Sequence, residues 1–186
     1  IGADNRWWVD VLEWGRQSDY ADFFDIDWEP AEPTLRGRVL LPVLGDHYGA
    51  VLERGELVVR LDSVAGSFAV HYAENCFPLS PRDYSSILEA AAKRSLRATR
   101  QLRPAIVASR ELAARDTGTH DTASRSERAN DLKRRIALAA ASPGVATAID
   151  AALSALNGEV GAPRTFGDLD ALLERQAYRL AFWCVD

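Results

Sequence analysis

The sequence predicts an α+β fold, in which a small mixed helix and strand subdomain precedes an all-helical subdomain. The 186 residues are 47% hydrophobic and 26% charged, which suits one globular domain or two small ones with a buried core. Residues 1–80 have a net charge of −8, whereas residues 81–186 have a net charge of +3. Eleven of the sixteen aromatic side chains lie before Ser80, and none lies between Ser85 and Thr165. These shifts indicate two subdomains of different architecture.

The boundaries follow from these shifts. We predict a mixed subdomain at residues 1–79, a helical subdomain at residues 80–170 and a closing segment at residues 171–186. The sequence has no apolar run of about 18 residues and no signal-like start, so it favours neither membrane insertion nor secretion and predicts a cytoplasmic protein. The lack of an initial methionine and of a polar tail after Trp183 indicates a piece of a longer chain.

The first predicted element is a short helix near the N-terminus. Asp4 or Asn5 can cap its first turn, because a side-chain oxygen there accepts a hydrogen bond from a free backbone N–H. Gly15 can end the helix, since glycine readily adopts the left-handed conformation common after helices. Trp8 lies off the apolar stripe of this helix. The stripe that we predict to be buried consists of Trp7, Val11 and Trp14.

Residues 23–49 predict an edge strand, a surface loop and a second strand-like run. Aromatic and acidic residues open the stretch, and Pro30 and Pro33 then set a rigid loop. Pro42 has no N–H to donate, so its segment does not suit a central strand. A Gly-Asp turn at residues 45–46 closes the run. Such a layout can hold aromatic and acidic groups at the rim of a cleft, where small ligands bind.

A helix and a β-hairpin complete the first subdomain. The helix is predicted at residues 48–53 and is stopped by Gly55. Residues 56–61 and 68–72 alternate between apolar and polar side chains, and turn-forming residues 62–66 separate them. The apolar set of the hairpin that we expect on one face is Leu57, Val59, Leu61, Phe68, Val70 and Tyr72.

The second subdomain is predicted to be helical. Ser80 can cap a helix that has Pro81 in its first turn, and Ser142 with Pro143 repeats this signal. Pro104 is expected to break the helix around it, because proline lacks the N–H that an inner helical turn needs. Three apolar stripes recur at helical spacing: Tyr84, Ile87, Leu88 and Ala91; Ala129, Leu132, Ile136 and Ala140; Val145, Ile149, Ala152 and Leu156.

The ends of the helical part are less regular. Residues 118–126 form either a polar loop or the start of a helix. Residues 165–168, Thr-Phe-Gly-Asp, have the pattern of a capping box, which predicts a helix through Leu169, Leu172 and Leu173. We expect this final helix to continue through residues 176–179.

Carboxylates are the first candidates for chemistry. Asp25 and Asp27 would share one face of the predicted edge strand, because side chains two apart in a strand point the same way. Paired carboxylates are what glycoside chemistry needs. The alternative is that both are exposed polar positions or acceptors that fix a loop.

Histidines and cysteines predict no metal site. His47, His71, His120, Cys76 and Cys184 do not show metal-ligand spacing, and no Gly-rich phosphate loop is present, so we expect no cofactor. The two cysteines suit free buried thiols of a cytosolic protein, with a disulfide as the alternative. His47 beside the Gly-Asp turn can touch a ligand hydroxyl or simply lie on the surface.

Four stretches resemble the maltooligosyltrehalose synthases of the α-amylase superfamily. They are DNRWWVDVLEWG at residues 4–15, FFDIDWEP at 23–30, GRVLLPVLGDHYG at 37–49 and LLERQAYRLAFW at 172–183. The resemblance implies a parent enzyme with a (β/α)8 barrel, an aspartate nucleophile, a glutamate general acid/base and a second aspartate. In that family the motifs that carry these three carboxylates lie downstream of the stretch that this chain resembles, and an Asn-His motif lies upstream of it. The chain therefore resembles an insertion excised from the barrel, with no catalytic residue of its own.

The resemblance also implies an activity. The parent would isomerise the reducing-end α-1,4 bond of a maltooligosaccharide to an α,α-1,1 bond, in trehalose biosynthesis. This chain would form a wall or lid of the glucan pocket, with the maltooligosaccharide and the barrel of the same polypeptide as its partners. For Trp8 and Tyr48, sugar stacking and core packing both remain open. The predicted substrate-binding residues are Trp8, Asp46, His47, Tyr48, Gln176, Tyr178 and Arg179.

Arginines support a rival interpretation, a helical binding module for an acidic partner or nucleic acid. Basic side chains recur at every third position, and a basic helix can bind nucleic acid. Interspersed acidic residues and a pI near 5.3 favour an ordinary solvated face instead, so we predict neither a nucleic-acid nor a membrane partner. The recurring basic residues are Arg94, Arg97, Arg100 and Arg103.

Overall fold

The computed structural model describes residues 5–114 and 122–183. The described residues form seven α-helices and two small β-sheets, so the predicted mixture of helices and strands is confirmed. The chain divides into two compact units. The first comprises the described parts of Ile1–Val58, Val70–Ser80 and Asn157–Asp186, and the second comprises Val59–Ala69 and the described parts of Pro81–Leu156.

Helix α1 (Arg6–Trp14) begins where the sequence predicts. The Asn5 side chain caps it by accepting hydrogen bonds from the backbone N–H groups of Trp7 and Trp8, at 3.1 and 3.2 Å. Gly15 ends it with a φ of +61°. The predicted buried stripe is wrong in one member, because Trp7 is 53% exposed. The helix buries its last turn, and Trp7 lies one turn earlier.

The predicted edge strand at residues 23–28 is wrong. A short 3-10 helix, Ala21–Phe23, leads into an irregular loop. Within it, the Asp27 carboxylate accepts a hydrogen bond from the Glu29 N–H at 3.0 Å, as in an Asx turn. Asp25 and Asp27 therefore do not share a strand face, and Asp27 fixes the loop. Alternation of aromatic and acidic residues predicted a strand, but hydrogen bonds from side chains to the nearby backbone stabilise a loop instead.

Strands β1 (Val39–Leu44) and β5 (Tyr178–Phe182) form a parallel pair. Pro42 lies within β1 opposite Ala181, where a missing N–H is tolerated because both strands of a two-stranded sheet are edges. The predicted final helix is wrong. Helix α7 (Gly167–Leu173) ends early, and the chain turns into β5 because β1 offers it a backbone partner.

Helix α2 (Tyr48–Glu53) matches its prediction. The hairpin is also confirmed, as β2 (Val58–Asp62) and β3 (Ser67–Tyr72), but a third strand, β4 (Asn75–Pro78), was missed. Leu57, Val59, Phe68 and Val70 of the predicted apolar set are buried, whereas Leu61 and Tyr72 are partly exposed.

Four helices build the second unit: α3 (Tyr84–Ala92), α4 (Leu96–Ala114), α5 (Thr122–Ala140) and α6 (Pro143–Leu156). The three predicted apolar stripes are buried, except that Leu156 is partly exposed. Residues 118–121 of the predicted loop or helix start lie outside the described residues, and 122–126 belong to α5.

Three helix-boundary predictions are wrong. Pro104 lies inside α4, because packing against α3, α5 and α6 offsets its cost of about 3 kcal/mol. Ser80 is not a cap, because α3 begins only at Tyr84. Thr165 is not a cap of α7 either. Its hydroxyl instead accepts from the Glu159 N–H at 2.8 Å and donates to the Ala162 carbonyl at 2.7 Å.

No single helix among the described residues has the length and apolar character to cross a membrane. One bent pair of helices reaches that length and apolar character when its two members are counted together. The members are Ala123–Ala140 and Pro143–Leu156, which meet at 110°.

Candidate functional site

The outer face of the β1–β5 pair presents the first part of the site. Val39 and Leu41 of β1 are buried, while Leu40 and Pro42, which alternate with them, are exposed. Arg179 lies opposite Leu40 in the parallel register. Neighbouring residues of paired strands project to the same face, so Arg179 is brought onto this outer face.

Glu174 joins two arginines beside this face. Its carboxylate accepts hydrogen bonds from Arg38 at 3.2 Å and from Arg179 at 2.8 Å. Burial alone would raise the pKa of the Glu174 carboxyl, but the hydrogen bonds from Arg38 and Arg179 outweigh it and hold that pKa below its ordinary value. Glu174 is therefore a carboxylate at neutral pH, suited to accept hydrogen bonds and unsuited to act as a general acid.

Tyr48 adds a donor to the same region. It is the first residue of α2, and its hydroxyl donates to the Asp170 carboxylate at 2.9 Å. Burial, followed by this hydrogen bond and by the nearby charges of Asp170 and Glu174, raises the pKa of the Tyr48 phenol well above its ordinary value. The hydroxyl therefore stays protonated. We call Arg38, Tyr48, Asp170, Glu174 and Arg179 the Tyr48 cluster.

The Tyr48 cluster is closely packed. A cavity of about 10 Å³ lies among Arg38, Tyr48, Glu174 and Arg179 together with neighbouring residues. This volume holds at most about one water molecule. A sugar would therefore meet the outer surface of the cluster, where the guanidinium groups keep further N–H donors and the carboxylate keeps further lone pairs. The arrangement can bind hydroxyl groups, and the exposed Leu40 beside it offers an apolar contact.

Five of the seven predicted site residues lie outside the Tyr48 cluster, and Asp46 and His47 are two of them. The Asp46 carboxylate accepts from Arg54 at 2.8 Å and from the His47 N–H at 2.7 Å, and these bonds lower the pKa of Asp46. The His47 ring lies 5.3 Å from the ring of Phe182, and the residue is exposed.

Trp8 is partly buried, and its ring packs against that of Phe24 at a centroid distance of 4.9 Å. This aromatic contact is formed within the first unit. It leaves only part of the Trp8 indole available to a ligand.

Gln176 and Tyr178 face the interior. Gln176 is 1% exposed, and its amide accepts from the Ser80 N–H at 2.8 Å and donates to the Leu172 carbonyl at 2.8 Å. Tyr178 is 2% exposed, and its ring packs against that of Phe77. Burial raises the pKa of the Tyr178 phenol well above its ordinary value. Neither side chain is offered to solvent, so neither can contact a ligand that approaches from the surface.

Sequence reasoning missed Arg38, Asp170 and Glu174. One available signal was the spacing of Asp170 and Glu174, since carboxylates four residues apart on a helical turn lie on the same face. Arg38 gave no such signal, because only the folding of β1 beside β5 brings it to Glu174.

The second unit has a more open groove between α4 and α5, with a volume of about 560 Å³. Three acidic and three basic side chains line it, so its charge is balanced and indicates no anionic ligand. These residues are Glu111, Glu127, Asp131, Arg128, Arg134 and Arg135. Two of the arginines, Arg134 and Arg135, form ion pairs with Asp131.

Within residues 5–114 and 122–183, no group of three or more His, Cys, Asp or Glu side chains is placed to hold a metal ion. The Cys76 sulfur lies 3.8 Å from the His71 ring nitrogen, while Cys184 lies outside the described residues.

Comparisons with known proteins give a partial relative. No family model matches the chain, and no solved structure matches it. Two proteins named as maltooligosyl trehalose synthases, from Mycobacterium tuberculosis strains CDC 1551 and H37Rv, are each 58% identical to it over 41 residues. The match covers 22% of this chain and 5% of each relative. The chain is thus similar, over a short stretch, to enzymes whose name places them in trehalose metabolism.

Proposed function

We propose that this chain is part of an enzyme that isomerises the reducing-end α-1,4 bond of a maltooligosaccharide to an α,α-1,1 bond. Within that enzyme the chain contributes a non-catalytic wall or lid of the glucan pocket. The 58% identity over 41 residues to proteins named as maltooligosyl trehalose synthases supports the enzyme context. The four motifs that resemble this family point to the same context.

The Tyr48 cluster is the observation that carries the proposed role. It joins Tyr48 to Asp170, and Arg38 and Arg179 to Glu174, through three hydrogen bonds between partly buried side chains. Preorganised polar groups beside an apolar face are typical of sugar-binding surfaces, which need donors and acceptors for hydroxyls and flat apolar faces for C–H groups.

The proposed reaction explains why such a wall would matter. Transfer with retention passes through a covalent glycosyl-enzyme, which the released glucose must attack before water does. A closed pocket that keeps glucose and excludes water favours isomerisation over hydrolysis. In this proposal Arg38 and Arg179 donate hydrogen bonds to sugar hydroxyls, and Glu174 accepts hydrogen bonds from sugar hydroxyls. Asp170 holds the Tyr48 hydroxyl in place.

The first test measures binding of maltoheptaose to the 186-residue chain by isothermal titration calorimetry. Arg179→Gln removes a donor and a charge from the cluster, so we expect its Kd to rise about tenfold, the loss of one hydrogen bond to a charged group. Arg175→Gln is the matched control, because it makes the same charge change at an exposed position of the same segment. Equal Kd values for the two variants would mean that the Tyr48 cluster does not contact the glucan.

The second test concerns chemistry. We expect the 186-residue chain to give no turnover of maltopentaose, because in this proposal the nucleophile and general acid belong to the barrel of the parent enzyme. The measurement is chromatography of products ending in trehalose after prolonged incubation. Trehalose-ended product from the pure chain would mean that it contains its own catalytic carboxylates.

A further inference from the structure

A second surface of the first unit exposes aromatic rings to solvent. Trp7 is 53% exposed and Phe23 is 65% exposed, although most large apolar side chains of the described chain are buried. Tyr20 lies between them in sequence and is partly exposed. We call Trp7, Tyr20 and Phe23 the aromatic cluster. Exposed apolar groups gathered in one place mark interaction sites more often than scattered ones do.

The three rings hold one another in place. Trp7 and Tyr20 lie nearly parallel, at 21° and a centroid distance of 5.9 Å. Phe23 stands at 88° to Trp7 and at 68° to Tyr20, with centroid distances of 5.9 and 5.7 Å. These stacked and edge-to-face geometries are the ones that aromatic pairs prefer.

Hydrogen bonds of the Ser18 side chain fix the segment that carries two of the rings. The Ser18 hydroxyl donates to the Asp10 carboxylate of α1 and accepts from the Tyr20 N–H at 3.1 Å. Phe23 then closes the 3-10 helix that follows. The cluster is thus preorganised, and binding to it would cost little conformational entropy.

The charges around the cluster narrow the class of ligand. Residues 19–29 contain five acidic side chains and no lysine or arginine. Asp19, Asp22 and Asp25 of this stretch are exposed. Arg16 pairs with Glu29, and the remaining aspartates keep the stretch negative, which disfavours nucleic acids and other anions. Aromatic faces that accept C–H groups, next to carboxylates that accept hydrogen bonds from hydroxyls, fit a neutral sugar.

We propose that the aromatic cluster is a second contact surface for an α-1,4-glucan, built from different residues than the Tyr48 cluster. The choice of glucan rests on the proposed function, because the relatives are named for a maltooligosyl compound. In this proposal the exposed parts of the Trp7 and Phe23 rings pack against pyranose C–H groups, while Asp22 and Asp25 accept hydrogen bonds from sugar hydroxyls.

The test compares variants of the 186-residue chain by calorimetric titration with maltoheptaose. Trp7→Ala is expected to raise the Kd about tenfold, and Phe23→Ala about threefold, since aromatic contacts contribute about 0.5–1.5 kcal/mol beyond burial. Leu96→Ala is the control, because Leu96 is 88% exposed and belongs to the second unit, whereas both clusters belong to the first. Circular dichroism and the Tm establish folding, and Phe23→Ala alone decides the question if Trp7→Ala does not fold.

The outcomes separate this proposal from the proposed function. If Arg179→Gln weakens binding while Trp7→Ala and Phe23→Ala do not, the aromatic cluster is not a glucan surface and the Tyr48 cluster remains one. If the aromatic variants weaken binding and Arg179→Gln does not, the aromatic cluster is a glucan surface and the Tyr48 cluster is not. Failure of the wild-type chain to bind maltoheptaose overturns the inference. So does perturbation of the Trp7 indole signal by a lysine-rich peptide and not by maltoheptaose, which would indicate a cationic protein partner.

Discussion

The two units of this chain fill their interiors in different ways. Among the described residues, Ala21 is the one buried alanine of the first unit, whereas nine alanines are buried in the second. The first unit also buries four polar or charged side chains, Glu13, Ser18, Ser80 and Gln176, whereas among the described residues the second buries one, Ser109. The buried alanines of the second unit are Ala91, Ala92, Ala98, Ala105, Ala129, Ala139, Ala140, Ala148 and Ala152.

This difference shows two ways of specifying a small core. Small side chains let helices approach closely, so the second unit relies on local helical periodicity and close contact. The first unit depends on bonds between segments that are distant in sequence, such as Ser80 with Gln176 and Tyr48 with Asp170. Damage to the second unit should therefore come from added volume, and damage to the first from lost polar bonds.

The largest expected effect is that of Gly66→Ala in the second unit. Gly66 has a φ of +68°, and an added Cβ would lie 1.8 Å from the Lys133 carbonyl oxygen of α5. Backbone strain and overpacking together should lower the free energy of unfolding by about 4 kcal/mol, measured by urea denaturation. Gly161→Ala is the control. The φ of Gly161 is +89°, so alanine adds backbone strain there too, but an added Cβ would meet nothing within 4 Å and causes no overpacking. Equal losses in the two variants would contradict close packing at Gly66.

An intermediate effect is expected for Gln176→Leu in the first unit. Leucine keeps the volume but removes both hydrogen bonds, which leaves the Ser80 N–H and the Leu172 carbonyl without their side-chain partner. The free energy of unfolding should fall by about 2 kcal/mol, the usual cost of buried groups left unsatisfied. Gln101→Leu, at an exposed position of α4, should change it by less than about 0.5 kcal/mol. If Gln176→Leu were neutral, the first unit would not depend on its buried polar bonds.

The smallest expected effect is the pH dependence that Glu174 contributes. The pKa of Glu174 is lowered below 4.5 in the folded chain, so its ion pairs stabilise the fold above that pH. This contribution is lost as the pH falls through the folded pKa. Because the side chain is 40% exposed, the effect should stay below about 1 kcal/mol.

Glu174→Gln should therefore show a smaller loss of stability between about pH 6 and pH 3 than wild type does. Urea denaturation at both pH values measures the difference. Glu53→Gln, which changes an exposed glutamate of the same unit, should keep the pH dependence of wild type. Identical pH dependence of Glu174→Gln and wild type would mean that the arginine pairs of Glu174 add no stability.

Sequence patterns were most successful where structure is local. The apolar stripes of α5 and α6, the Asn5 cap and the β2–β3 hairpin follow from side-chain period and from short-range hydrogen bonds. The failures at Pro104 and at residues 178–182 have the opposite cause. Packing on three neighbouring helices stabilises α4 through its proline, and β1 provides the partner that turns a predicted helix into a strand.

The candidate site divides in the same way. Two of the predicted site residues, Tyr48 and Arg179, belong to the Tyr48 cluster, and their side chains carry the right groups for sugar contact whatever the fold. That Gln176 is buried beside the accessible Arg179 could not be predicted from their types or spacing. The sequence by itself determined the chemistry that each segment can offer, because side-chain groups and helical period are local properties. Only the tertiary structure decided which groups meet, because the β1–β5 register joins residues 39–44 to residues 178–182, which are far apart in the chain.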